Sequence, residues 1–159
     1  MTTETKQSKE ALAKKGSAET VTETTETTEV KTPKHSPDEL AEIFDKILFE
    51  GEYTEEIKIR NKLVVVFKSR SAKETQAISL EIDSKNFTLY MTAQEHRALL
   101  NLASSLVNYA GKDLSKVTAE DRKTFVGKLP TSVVAKLSEE LVKFDLKVDA
   151  ACRDSEENF

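Results

Sequence analysis

Apolar and polar positions follow two rhythms along this chain, and the tighter one sets the plan between Glu55 and Asp83. Ile57 and Ile59 alternate with Glu56, Lys58 and Arg60, so a first strand there carries one apolar face. An Asn61-Lys62 turn separates it from a second strand of different character. In that second strand Leu63, Val65 and Phe67 point one way, while Val64 and Val66 point the other. A strand that is apolar on both sides needs cover on both sides, or a face that meets another chain. Burial in the core is the first reading of Val64 and Val66, and contact with a partner is the second. Two strands are marginal alone, so helices must pack on this hairpin.

The slower rhythm, with spacings of three and four, surrounds the hairpin. Ser36 can cap a helix that opens on Pro37, Asp38 and Glu39, with Leu40, Ile43, Phe44, Ile47 and Leu48 as its apolar stripe and Gly51 as its stop. Ser71 and Glu74 form a capping box that favours a helix over residues 72–83. A competing pattern exists there. Ile78, Leu80 and Ile82 alternate with polar residues, as do Phe87, Leu89 and Met91, and the two runs would pair across Ser84-Lys85-Asn86 as a second hairpin. From Thr92 the spacing predicts one helix through TAQEHRALLNLASSLVNYAG, with Leu99, Leu100, Ala103, Leu106, Val107 and Ala110 on its face. Thr92 and Glu95 form its capping box, and Gly111 stands where it ends. A short helix from Thr118, with Phe125 and Val126, stops before Leu129-Pro130. A last helix runs from Thr131 to Arg153, with Val134, Leu137, Leu141, Phe144 or Asp145, Val148 and Cys152 inward. The fold class is therefore α+β, mainly α-helical, with a β-hairpin near the start of the domain under about four to five helices.

Neither rhythm reaches residues 1–36. ETVTETTETTEV is a Thr/Glu tract of low complexity, and such a segment buries too little apolar surface to offset its ordering entropy. EALAKK is too short for a stable helix in water. The expected organisation is a flexible, disordered arm at 1–36, a single domain at 37–153 and a frayed end at 154–159, where Phe159 would make a small hook. Thr and Val suit strands, so the arm around Val21 to Val30 would order as an added edge strand against a partner.

Composition narrows the function classes. The net charge is −4, and Lys+Arg and Asp+Glu are balanced at six each in residues 1–36, so the acidic excess lies in the domain. That gives no electrostatic footprint for nucleic acid. No segment has the apolar length of a membrane span or the apolar core of a secretory signal. Cys152 is the one cysteine, which excludes a disulfide framework within the chain and suits a reducing cytoplasm. The histidines, His35 and His96, have no second ligand at metal spacing. Four scattered glycines make no phosphate loop, and the abundant carboxylates read as solvated helix faces. Cys152 on an apolar helix face reads as a small core residue. Arg60, Arg70, Arg97 and Arg122 read as members of ion pairs. No catalytic, cofactor or metal residue is assigned, and an enzyme is the least supported class.

The order of the parts resembles small proteins of tailed bacteriophages, the tail-assembly chaperones and baseplate-hub assembly components. The resemblance lies in the strand pair EEIKIRNKLVVVF, the turn KSRSAKE, the segment QEHRALLNLASSLVNYAG and the closing KLPTSVVAKLSEELVKFDLKV. It covers about residues 38–153 as a pattern, and the Thr/Glu tract has no counterpart in it. It implies a non-catalytic role, in host cytoplasm or virion: binding tail or baseplate subunits, or the tape-measure protein, during assembly. A permanent minor component of the baseplate hub, tail or neck, whose arm orders against neighbouring subunits, is the alternative. A small cytoplasmic enzyme or regulator unrelated to phage is the other. Homo- or hetero-oligomers fit the first two. Val64, Val66, Val21 and Val30 are the residues expected to touch the partner.

Overall fold

The computed structural model describes residues 35–156, which form five helices and one antiparallel sheet. The chain begins with α1 (Pro37–Glu50), capped as the sequence dictates: the Ser36 side chain accepts from the Glu39 amide, and Gly51 closes the helix at φ 84°. Leu40 and Ile43 are buried, but Leu48 is 58% exposed. At 100° per residue Leu48 falls well off the line through Ile43, Phe44 and Ile47, which corrects its place in the predicted stripe.

Strands β1 (Thr54–Ile59) and β2 (Leu63–Lys68) make the expected hairpin, with Ile57 opposite Val65 and Ile59 opposite Leu63. The turn sits one residue earlier than the Asn61-Lys62 reading. Arg60 and Asn61 both have positive φ, and the Lys62 amide donates to the Ile59 carbonyl at 3.1 Å.

Helix α2 (Ala72–Ser84) realises the capping box in full, with the Ser71 hydroxyl accepting from the Glu74 amide and the Glu74 carboxylate accepting from the Ser71 amide. The helical reading of this segment holds, and the alternating Ile78, Leu80 and Ile82 do not form a strand. Helix α3 (Tyr90–Ser105) starts before Thr92, so Thr92 and Glu95 lie inside it and form no cap. It is also shorter than the sequence suggests. The chain leaves it at Leu106 for β3 (Leu106–Tyr109), turns through Ala110-Gly111, and returns as β4 (Lys112–Asp113). The predicted helix over 92–111 is thus corrected at its last turn and a half. The cause is β2, which has a second edge to satisfy: Val66 pairs with Asn108, Val65 with Tyr109, and the Ala110 amide donates to the Val64 carbonyl at 2.9 Å. A register shift between Val66 and Phe67 lets Phe67 pair with Leu106.

Helices α4 (Ala119–Gly127) and α5 (Thr131–Glu156) complete the fold. Helix α5 continues three residues past Arg153, beyond the predicted boundary. The strand order is β1-β2-β3-β4. The core lies between one face of this sheet and the helices: Val65, Phe67, Leu102, Leu106, Leu137 and Phe144 are all essentially inaccessible. Tyr53 stacks on Phe144, whose other neighbour is Phe67. Burying one such side chain contributes about 1.5–3 kcal/mol.

Two charged side chains are built into this core. Lys147, 9% exposed, donates to Glu39 at 2.7 Å and Glu55 at 3.0 Å. Burial opposes its charge, yet those two bonds hold its pKa above the ordinary lysine range. Arg70, just past β2, donates to Asp145 and to Ser105, both at 2.7 Å. It joins the sheet to α5 and to the end of α3.

Candidate functional site

The side of the sheet turned away from the core is built from alternate residues of the same strands. Val64 and Val66 stand next to Glu56 and Lys58 of β1 and Asn108 of β3, as the register requires. Both valines are half-buried rather than core, which corrects the first reading of the doubly apolar strand. A shallow groove of about 470 Å³ runs over them, lined by Glu56, Lys62, Val64, Val66, Asn108, Ala110 and Gly111, with no helix residue among the described ones lining it.

The groove's rim is held by the β3–β4 turn. Ala110 and Gly111 have φ of 52° and 81°, and the Asn108 side chain accepts from the Gly111 amide at 3.0 Å. The periodicity places Asn108 and Ala110 in a helix and Gly111 at its end, so the sequence reading misses their part in this surface. The one available signal was Asn108 three residues before Gly111 and a following Lys-Asp, a turn signature inside an otherwise helical pattern. Of the four expected contact residues, the structure brings Val64 and Val66 together on one face. Val21 and Val30, and the arm expected to carry them, lie outside the described residues.

A second concavity, of about 270 Å³, lies among α2, α3 and α4. It gathers Glu74, Glu81, Glu120, Arg122 and Lys123 around Ala77, Ile78, Leu100 and Ala103. Lys123 bonds Glu81 and Glu120, and Glu81 also meets Lys85 and His96. Burial works against the Glu81 charge, but hydrogen bonds from Lys123, Lys85 and His96 lower its pKa to about 2. Glu74 is likewise lowered: burial opposes this and is outweighed by Lys68 and the Ser71 amide. These shifts fix each carboxylate in its ionised form at neutral pH. A general acid or base needs the opposite, a pKa drawn toward the working pH. The cluster is therefore built as ion pairing.

The remaining candidates resolve as packing. His96 packs against Phe87 and reaches Glu81 at 3.3 Å. Cys152 is half-buried on α5. Of the four arginines read as ion-pair members, Arg70 makes the pair expected of it, whereas Arg122 donates only to the Ser104 carbonyl, at 3.3 Å, among the described residues. Among those same residues no group of three or more His, Cys, Asp or Glu could hold a metal ion, and no helix is long and apolar enough to cross a membrane. Comparison with protein-family models, with curated proteins and with solved structures gave no match to this chain.

Proposed function

We propose that this chain is a non-catalytic binding module whose open sheet face receives a protein subunit of a phage tail or baseplate during particle assembly. The observation that carries the reading is the placement of Val64 and Val66. Two β-branched apolar side chains sit on a sheet face whose groove no helix lines among the described residues, flanked by Glu56 and Lys62. An apolar strip within a charged rim is the usual anatomy of a protein contact. The phage assignment of the partner comes from the sequence resemblance alone, and so do the cytoplasmic and virion settings.

The test is capture of tail and baseplate subunits from the source lysate by tagged wild-type chain and by V64K/V66K. The double variant is expected to melt within a few degrees of wild type and to lose the captured subunit. Equal capture by both would refute the sheet face as the contact. Quantitative mass spectrometry of purified particles then separates the two modes of action. A fixed copy number in the particle makes the chain a permanent component, and presence in lysate alone makes it a transient factor.

A further inference from the structure

We infer that the cleft among α2, α3 and α4 is a second recognition site, which takes an acidic side chain next to an aliphatic one from a partner peptide. The argument starts from the charges that line it. Glu74 is bonded to Lys68, Glu81 to Lys85 and Lys123, and Glu120 to Lys123. Among the described residues, Arg122 is the one charged lining group without an ionic partner. Its Nη1 donates a long 3.3 Å bond to the Ser104 carbonyl and its Nη2 has no acceptor among the described residues, whereas its Nε lies beneath the surface, beyond a ligand's reach. A guanidinium has five donors in a fixed fork, and its Nη edge presents two of them side by side. The ligand that satisfies such a fork best is a carboxylate, held by two parallel charge-assisted bonds.

The rest of the lining selects what accompanies the carboxylate. Ile78, Leu100 and Ala103 are buried and, with the exposed Ala77, offer an apolar surface beside Arg122. A volume of about 270 Å³ falls just under the usual range for small-molecule and cofactor pockets, and suits one or two side chains of a peptide. The cleft shares no lining residue with the groove over Val64 and Val66, so this inference does not depend on the sheet-face reading.

The experiment is an amide-resolved NMR titration of the full chain with acetyl-Ser-Leu-Glu-Ser-amide and with its Gln counterpart. The Glu peptide is expected to shift the amides of Ile78, Leu100, Ala103 and Arg122, with affinity about tenfold above that of the Gln peptide and falling with added salt. R122Q should erase that preference, and R122K should restore part of it without the bidentate geometry. Should R122Q fold poorly, Ala77→Met narrows the cleft from an exposed position and should block the peptide while leaving Arg122 in place. Equal affinity for the two peptides, shifts confined to other surfaces, or no shift at millimolar peptide would each overturn the site. V64K/V66K should leave the titration unchanged, which separates this cleft from the sheet face.

Discussion

The two faces of β2 differ by a single residue step and have opposite fates. Val65 and Phe67 are wholly inaccessible, packed toward Phe144 and Leu106, whereas Val64 and Val66 are only partly buried, beneath a groove. Composition alone does not separate them, since both faces of LVVV are aliphatic. What separates them is the supply of helices. The core cluster joins α1, α3, α4 and α5 to the inner face, and among the described residues no helix lines the groove on the outer face. Apolar character in a strand thus does not by itself place a face in the core; the supply of helices decides.

The sharpest way to break this comparison is Phe67→Ala beside Val66→Ala. The first should cost about 3–4 kcal/mol and the second under about 1 kcal/mol, read by denaturant unfolding. Equal losses would mean that the outer face is packed after all. The polar groups sharpen the contrast next. Arg70→Met on the closed side should cost about 2–3 kcal/mol, because it strands the Asp145 carboxyl, which burial already pushes up against the pull of Arg70. Lys58→Ala on the open side, where Lys58 and Glu56 are 3.8 Å apart in solvent, should change stability by less than about 0.5 kcal/mol.

The partly exposed Glu81 falls between these cases. Its pKa drops from 4.5 to about 2 on folding, so its stabilisation is complete above about pH 4.5 and is lost as the pH falls toward 2. Glu81→Gln should cost about 1–2 kcal/mol at pH 7 after allowance for solvent screening. That difference should close across the same acid range, and one that persisted to pH 2 would assign it to packing. The smallest effect concerns the groove's rim. Ala110 has φ 52°, so Ala110→Gly should stabilise by about 0.5–1 kcal/mol. In a continuous helix the same change would destabilise by about as much, so the sign alone checks the β3–β4 turn.

Most of the architecture was legible because its signals are local. Ser36 and Gly51 bound α1, Ser71 and Glu74 open α2, and alternation placed β1 and β2. The segment from Leu106 to Asp113 was not, because its own spacing continues the stripe of Leu99, Leu100 and Ala103. The edge of β2 overrode that periodicity through pairings that no short window contains. The candidate surfaces divide in the same way. Val64 and Val66 are visible in alternation along one strand. Asn108 and Gly111 reach them only once β3 is paired, and Arg122 acquires its surroundings from three separate helices.

The passage from α3 to β3 takes no linker, since Ser105 ends the helix and Leu106 begins the strand. Ser105 is fully buried and held by Arg70, while Leu106 faces Phe67 across the pairing. Each residue added to a strand advances the chain by about 3.3 Å and reverses which side every later side chain faces. A single residue inserted between Ser105 and Leu106 would therefore either draw the hydroxyl away from the guanidinium or turn Leu106 outward and carry Asn108 off the groove. This junction is a ruler for the chain, and it makes length at that point as strictly specified as sequence.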